Sequence, residues 1–401
     1  MSGCQLGHVL GREQVLYARP QTSAAYVLPE AGPPTATAGG AMHVVSSNIQ
    51  PSQAMIPRRD ARLGPYDHEQ IVGRFEGSWQ AVLNCVPAAA LTSRPDAHHL
   101  LMGFFGAHTF NSGVSTLYSL SNSGLCRPFS LLRLANRSQA VYSEALRLAA
   151  VNQFTLAADG ENAPTMTFDG IFAEWVGTGR AEVDETGATQ TEIDVLATTI
   201  DNLMVGQISG TYGSRVQIGA NTNGGAGYHV TNVDRTNDDI TVDTGVTVTD
   251  GDAIIPYAPT PTLSSAPMIG FTVGGLDVDA VDMPIKSISV TGNRNLTALN
   301  NVFGTASYED AVADFADLMF EFTLDARSDM TVELAKSAYH DERDVQLVLG
   351  TGAGRTWTVD MPRWQPDHSA IALNQIGEIT VSGRLLNTTE GAANALSITM
   401  T

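Results

Sequence analysis

The sequence predicts a mainly β protein. Many short runs rich in Val, Thr and Ile are separated by Gly, Asn and Asp, which is the composition of strands joined by tight turns. Lys, a good helix former, occurs only at Lys286 and Lys336. The length of 401 residues exceeds that of one small domain, so we expect two or three modules.

The first 45 residues predict an extended arm, because Gly and Pro interrupt them and Pro excludes a helix. A long hairpin is predicted at about residues 42–68. Its first strand covers Met42–Ile56, and its far limb carries Arg58, Arg59 and Arg62. The alternating run Gln70–Val86 predicts one or two further strands.

The clearest predicted helix is Pro95–Phe105, with the sequence PDAHHLLMGFF. Ser93 suits the N-cap, Pro95 suits the first helical position and Gly106 suits the C-terminus. Asp96 favours the positive end of the helix dipole. One apolar face is expected to dock on a sheet, and it consists of Leu100, Leu101, Phe104 and Phe105.

The first half of the main domain, residues 46–180, is predicted to end in a hairpin. The composition of Leu146–Ala158 allows a helix, but its end at Asp159-Gly160 favours a strand that enters a turn. The run Thr165–Val176 then predicts the returning strand.

Residues 181–262 are predicted to be an insertion, because the composition shifts near Gly179. The acidic, apolar-poor stretch Glu182–Asp194 predicts a linker. From about Thr198 to Pro259, short Val-rich and Thr-rich runs predict a small barrel or sandwich.

The second half of the main domain, residues 263–401, is again predicted to be β. Leu318–Leu324 alternates apolar and polar residues as a half-buried strand does, and Asp329–His340 has the composition of a short helix. The other predicted strands are Lys286–Val290, Val345–Leu349, Arg355–Met361, Glu378–Leu386 and Ala395–Met400.

The net charge of −20 excludes a simple nucleic-acid binder, since such proteins need clustered Lys and Arg. The acidity is uneven. Residues 1–150 carry 11 basic and 8 acidic side chains, residues 151–262 carry 3 and 16, and residues 263–401 carry 8 and 18. Keeping a large assembly soluble is the simplest role for this charge.

Export and membrane insertion are not expected. The N-terminus lacks a basic region followed by an apolar one, and no run approaches 18 apolar residues. Cys4, Cys85 and Cys126 are odd in number and far apart, which argues against a disulfide framework or a zinc site.

No motif of hydrolase or nucleotide chemistry is present, since HExxH, Walker and GxSxG patterns are absent. Gly350–Gly354 is rich in glycine, but it joins two predicted strands and no Lys follows it. A hairpin turn is therefore preferred to a phosphate loop. We expect neither an enzyme nor a cofactor.

Three groups of residues contain possible metal ligands, but their spacing does not favour a metal site. His98 and His99 point to different sides of a helix, so a surface or half-buried pair is expected. Two acidic groups lack the fixed Gly and terminal Glu of an EF-hand, namely Asp277, Asp279 and Asp282, and Asp238, Asp239 and Asp243. The scattered tryptophans are expected to pack in a core or an interface, and they are Trp79, Trp175, Trp357 and Trp364.

The order of these segments resembles the major tail tube proteins of siphovirus-type bacteriophages, which have long non-contractile tails. The resemblance covers most of the chain and rests on the order and character of its segments. The matching pieces are GREQVLYARPQTSAAY, SSNIQPSQAMIPRRDAR, IVGRFEGSWQAVL, PDAHHLLMGFFG, VNQFTLAADG, the β-rich second half and the ending ALSITM.

The resemblance implies two packed β-sheets with a flanking α-helix, and homohexameric rings that stack into a tube. It implies three protein partners, the tape-measure, tail terminator and distal tail proteins, together with transient passage of genomic DNA. The protein would belong to the virion and assemble in the host cytoplasm. We expect Arg58, Arg59 and Arg62 to contact acidic residues of the next ring, and we expect the inserted module to decorate the outside.

Two other classes stay open. A surface or secreted β-sandwich adhesin would normally carry the export signal that is missing here. A β-sandwich glycan-active enzyme would need an acid pair and an aromatic cleft, and neither is evident in the sequence.

Overall fold

The computed structural model describes most of the chain. The described residues are 14–20, 40–57, 70–88, 90–121, 128–135, 142–160, 162–177, 179–182, 189–197, 199, 215–258, 260–270, 274–299, 310–314, 316–325, 341–350, 355–367, 371–372 and 378–401. They form a mainly β fold, as the sequence predicts.

Three stretches of the chain supply the elements. The first contains β1 (Gln14–Pro20), β2 (Ala41–Pro57), β3 (Gln70–Asn84), α1 (His98–Phe105), β4 (Gly106–Asn111), β5 (Ser115–Leu120), β6 (Phe129–Ala135), β7 (Tyr142–Asp159), β8 (Thr165–Phe172) and β9 (Glu174–Val176). The second contains β10 (Gly179–Arg180), β11 (Thr189–Asp194), β12 (Arg215–Ile218), a 3-10 turn (Asn223–Gly225), β13 (Tyr228–Asp234), β14 (Asp239–Thr247) and β15 (Ala253–Pro256). The third contains β16 (Gly274–Val278), β17 (Val281–Met283), β18 (Ile285–Asn293), β19 (Leu296–Leu299), β20 (Asp310–Ala313), β21 (Asp317–Asp325), β22 (Arg343–Leu349), β23 (Trp357–Pro366), β24 (Ile371–Ala372), β25 (Glu378–Leu385) and β26 (Ser397–Met400).

Seven antiparallel strands make up what we call the long sheet, in the order β2-β3-β8-β7-β18-β21-β25. Only the second half of β7 lies in it, because the first half pairs with β6 and β9 instead. The strand is irregular between these halves, where Leu148 has a φ of 51°. The predicted hairpin across Asp159-Gly160 is confirmed by the pairing of β7 with β8.

A second sheet has the order β17-β16-β22-β23-β26-β5-β4. Strand β23 joins the two sheets, because its end, Trp364–Pro366, pairs with β25 of the long sheet. Buried residues of both sheets belong to one core, which includes Phe154, Phe168 and Phe320 of the long sheet and Trp357 and Ile398 of the second. The arrangement is sandwich-like.

Helix α1 closes the core with the face predicted from the sequence. Leu100, Leu101, Phe104 and Phe105 are all buried, and the Phe104 and Phe105 rings lie 5.3 Å and 5.7 Å from the ring of Phe154 on β7. The helix ends at Gly106, whose φ of 80° is the left-handed conformation that glycine adopts most easily.

The predicted start of this helix was wrong by three residues. No side chain caps α1, whose N-cap position is Ala97. Ser93 instead closes a turn through its hydroxyl, which donates to Ala90 O. Asp96 accepts a hydrogen bond from the backbone N–H of Ser264 over 3.2 Å. The two candidate capping groups therefore bind elsewhere, one of them to a residue far away in the sequence.

Residues 179–256 form a separate six-stranded sheet in the order β10-β15-β12-β13-β14-β11. Its two outer strands also meet, because Ala181 and Val195 form an antiparallel bridge and Glu182 N donates to Asp194 O over 2.8 Å. The sheet is therefore a small closed barrel. Its core consists of apolar side chains such as Val216, Ile240 and Ile254.

The barrel corrects the interpretation of Glu182–Asp194 as a linker. Residues 189–194 of that stretch are strand β11, which pairs with β14 and seals the barrel. Ile193 and Val195 supply the buried side chains, so two inward apolar residues are enough to hold an otherwise acidic strand in place.

Several smaller predictions can be checked. Trp79, Trp357 and Trp364 are buried in the core, and Trp175 packs partly buried against it. Strands β22 and β23 pair on either side of Gly350, whose φ is 81°. The expected helix at 329–340 lies outside the described residues. Within the described part of the chain, no helix is long and apolar enough to cross a membrane.

Candidate assembly surface

One face of the long sheet points away from the core, and we call it the polar face. On β8, Met166, Phe168 and Phe172 are buried, whereas Thr167 and Asp169 between them are half-exposed. The same alternation holds on the neighbouring strands, because side chains of a strand point alternately to its two faces. The face is therefore set by the pattern of apolar residues on its opposite side.

The strand register aligns the polar face into rows that cross the sheet. One row over six strands consists only of amides and carboxylates, namely Asn48, Gln80, Asp169, Gln153, Asn293 and Asp317. The next row contains Ser46, Val82, Thr167, Thr155, Thr291, Met319 and Arg384. A third contains Asn84, Thr165, Ala157, Ser289, Glu321 and Ser382.

Short hydrogen bonds hold the polar face together across its strands. Gln80 Nε2 donates to Asp169 Oδ1 over 2.7 Å, and the hydroxyls of Thr323 and Thr380 lie 3.0 Å apart. Acidic side chains outnumber basic ones on the described part of this face, where Glu76, Asp159, Asp169, Asp317, Glu321 and Glu378 stand against Arg384 and Lys286, and Lys286 is paired with Glu378 over 2.6 Å. The surface is hydrophilic and carries a moderate negative charge.

Strand β2 is an edge of the long sheet over most of its length. Its inner side pairs with β3 from Val44 to Pro57. Its other side pairs with β1 only at Ala41–His43, and within the described residues no strand continues that ladder. Such an edge presents backbone N–H and C=O groups that another strand can pair with.

Pro51 indicates which residues of β2 direct their backbone N–H and C=O groups away from β3. Proline has no N–H to give to a ladder, so the pair Pro51–Gly77 is one that exchanges no backbone hydrogen bonds. Bonded and non-bonded pairs alternate in an antiparallel ladder. The backbone N–H and C=O groups of Ser47, Ile49 and Gln53 therefore point away from β3, as the backbone nitrogen of Pro51 does. Because that nitrogen carries no hydrogen, Pro51 removes one donor from this edge.

A buried ionic network borders the beginning of the edge. The Arg133 guanidinium on β6 forms an ion pair with Glu144 on β7 and donates to Ser47 O over 3.2 Å. Glu144 is almost fully buried and also accepts from the Tyr142 hydroxyl and from Trp175 Nε1. Burial, followed by the hydrogen bond and the charge of Glu144, raises the pKa of Tyr142 well above its usual range.

The candidates for ring stacking, Arg58, Arg59 and Arg62, lie outside the described residues. Their segment joins β2 to β3, which pair as far as Pro57 and Gln70. The arginines thus belong to the connection of the predicted hairpin, and their contacts stay a prediction.

Of the histidine pair, His98 is more buried than expected, whereas His99 is half-buried as predicted. His98 is buried and its Nδ1 lies 2.7 Å from the Tyr118 hydroxyl, with the His108 ring 4.6 Å away. Burial is the main cause that lowers the pKa of His98 to about 2 and that of His99 to about 4. Among the described residues no group of His, Cys, Asp or Glu is arranged to hold a metal ion.

The two groups of aspartates serve local structure. Asp279 pairs with Arg343 over 2.5 Å at the β16–β17 turn, and Asp277 and Asp282 face each other across that hairpin. Asp239 on β14 stands directly opposite Asp194 on the adjacent strand β11. Partial burial, with a hydrogen bond and the negative charge of Asp194, raises the pKa of Asp239 to about 6.

Comparison with known proteins adds no relative, since no family model matches the chain and no curated protein matches it significantly.

Proposed function

We propose that this chain is a structural subunit that assembles with copies of itself into the hollow tail tube of a long-tailed bacteriophage. The observation that carries the proposal is the combination of a long edge on β2, unpaired within the described residues, with a polar face that spans the sheet beside it. A strand edge recruits a partner strand, and a rolled sheet with a polar concave face encloses an aqueous channel.

The edge supports closure of copies around an axis. A contact between two different surfaces of identical subunits repeats head to tail, and it closes into a ring when the rotation allows. The free side of β2 is one such surface. The other lies elsewhere on the neighbouring copy, because the far side of β25 is already paired with β24 and with the end of β23. Because Ser47 O is taken by Arg133 and Pro51 lacks a donor, a neighbouring strand would find outward N–H groups at Ile49 and Gln53.

The polar face suits the wall of a channel for DNA. Its rows of amides and hydroxyls bind water, and its carboxylates repel phosphate. Clustered cations would do the opposite, because they release counterions from DNA and hold it. A tape-measure protein would occupy the same channel before the DNA.

The barrel suits the outside of such a tube. It has its own core, and its two outer strands meet at Ala181 and Val195, which closes the described part of the sheet on itself. Its first and last strands, β10 and β15, are paired at Gly179 and Ile254. The chain therefore leaves and rejoins the main domain at one place, as a decoration does.

Amide hydrogen exchange tests the edge contact. In single subunits the outward N–H of Ile49 should exchange rapidly, and in the assembled state it should be protected, because an edge hydrogen bond slows exchange. The inward amides that β2 gives to β3 serve as the internal control and should change little. Equal exchange at Ile49 in both states would rule out this edge as the contact.

A further inference from the structure

We propose that Asn223 is a site of spontaneous deamidation, at which the backbone nitrogen of Gly224 displaces the side-chain amide as ammonia. Asn223-Gly224 is the sole Asn-Gly pair in the 401 residues. Glycine is the residue that least obstructs this reaction, because it has no side chain and reaches unusual backbone angles without strain. The site lies in the barrel and is independent of how the subunits assemble.

The turn between β12 and β13 leaves the attacking nitrogen accessible. Gly224 is exposed and has φ 62° and ψ 20°, and a Cβ added there would meet no atom within 4 Å. Its N–H makes no hydrogen bond among the described residues, whereas the next two N–H groups, those of Gly225 and Ala226, are bonded to Thr222 O and Asn223 O. The nitrogen that must lose its proton therefore belongs to an exposed residue and is not held by a hydrogen bond among the described residues.

The amide itself is held by a single contact, in which Asn223 Nδ2 donates to Gly227 O over 3.2 Å. A single neutral hydrogen bond contributes little net stability in water, so the side chain is released easily. Asn223 has a φ of 48°, a left-handed conformation that asparagine adopts more readily than most residues with a side chain.

The chemistry needs only water. Gly224 N loses its proton to solvent base and bonds to Asn223 Cγ, and the Cγ–Nδ2 bond breaks to release ammonia and leave a cyclic imide. Water then adds to one of the two imide carbonyls and opens the ring. Attack at one carbonyl gives aspartate, and attack at the other gives isoaspartate with the main chain rerouted through Cγ.

Two nearby asparagines lack these features and serve as controls. Asn221 is followed by Thr222, and its Nδ2 donates to Thr247 O over 3.1 Å. Asn232 lies in β13 opposite Thr241 and is followed by Val233. β-Branched neighbours and ladder pairing both hinder cyclisation.

The new carboxylate would change the turn. An acid at position 223 can no longer donate to Gly227 O, and its charge would face that carbonyl oxygen. Arg215 is the cation available nearby, since its Nη1 already donates to Ala226 O over 2.9 Å. The barrel would gain one negative charge at the turn anchored by the bond from the Tyr257 hydroxyl to Gly225 O.

Peptide mapping of the intact protein provides the test. Trypsin releases residues 216–235 as one peptide, because Arg215 and Arg235 flank it, so Asn221, Asn223 and Asn232 are read in the same fragment. After incubation of the folded protein at mildly alkaline pH, we expect loss of the amide at Asn223, a mixture of aspartate and isoaspartate there, and intact Asn221 and Asn232. Gly224→Ala should slow the conversion.

Two results would overturn the proposal. One is an intact Asn223 in the folded protein under conditions that convert the isolated peptide, which would mean that the turn protects it. The other is equal conversion at all three asparagines.

Discussion

Gln80 and Asp169 stand directly opposite each other on β3 and β8, and Gln80 Nε2 donates to Asp169 Oδ1 over 2.7 Å on the polar face. The residues next to them, Trp79 and Gly170, are also opposite each other and point into the core. One pair of strands thus carries both the hydrophilic surface and the packing that orients it.

Reversing charge on the polar face should slow the passage of DNA. We expect phages with Asp317→Lys and Glu321→Lys to eject their genome more slowly, because the new cations attract phosphate, and the delay should shrink at high salt. Asp250→Lys with Glu390→Lys is the matched control, since both residues are exposed away from the long sheet. The readout is the time course of DNA release, and identical kinetics for the two double variants would refute a lumenal role for this face.

Restoring the missing donor at the edge should strengthen self-association. Pro51→Thr adds an outward N–H to β2, and each additional hydrogen bond contributes about 1 kcal/mol, so the concentration needed for assembly should fall. Light scattering recorded over a range of protein concentrations measures this assembly threshold. The control variant is Ser52→Pro, which removes an N–H group that β2 donates to β3. This variant should destabilise the subunit itself and should not promote assembly. An unchanged threshold in Pro51→Thr would show that β2 does not join subunits.

A side chain at position 170 would fill the space that the Trp79 indole occupies, and it should destabilise the main domain. A Cβ at this position would collide with the Ala150 carbonyl oxygen and with the Trp79 indole. We expect Gly170→Ala to lower the free energy of unfolding by about 3 kcal/mol. In Gly275→Ala the added carbon would lie 3.5 Å from Asp282 Oδ1, an ordinary contact, so little change is expected. Urea denaturation measures both, and equal midpoints would contradict the packing described.

Acid should destabilise the helix region through its histidines. Burial lowers the pKa of His99 to about 4 and that of His98 to about 2, whereas in the unfolded chain both titrate near 6.5. The unfolded state therefore binds more protons below pH 6.5, and stability should fall from there down to about pH 4, where His99 charges in the folded state. Thermal unfolding should show a shallower decline in this window for His99→Gln than for His43→Gln, whose residue is more exposed. Parallel curves would exclude His99 as a source of the pH dependence.

Deleting the barrel should leave assembly intact. Gly179 and Ile254 are directly paired neighbours, so a short Gly-Ser link between Gly177 and Tyr257 spans the gap. Because the barrel core is separate from the main core, we expect the shortened chain to fold and to form tubes of smaller outer diameter. Failure to assemble, with the fold intact by circular dichroism, would mean that the barrel takes part in subunit contacts.

The apolar faces of the long elements could be predicted from the sequence. The periodicities of Leu318–Leu324 and of Leu100–Phe105 match the strand and the helix that form there, because burial of one face dominates both patterns. The helix start was predicted less well, since the partner of Asp96 is Ser264, which is distant in sequence.

The polar face and the edge network could not be predicted in the same way. Bulges between Val151 and Gln153 and between Val44 and Ser46 shift the alternation by one residue, and such a shift reverses every side chain beyond it. The contact of Arg133 with Glu144 depends on the pairing of β6 with β7. An arginine and a glutamate in two apolar strands are the only signal of that pair in the sequence.

Negative-stain electron microscopy of the purified, concentrated protein tests the central claim most directly. The proposed function predicts stacked rings with a stain-filled bore, in which a neighbouring copy would pair with the free side of β2 and the polar face would line the channel. Well-separated single subunits without a bore, at concentrations where the protein stays folded, would contradict that claim.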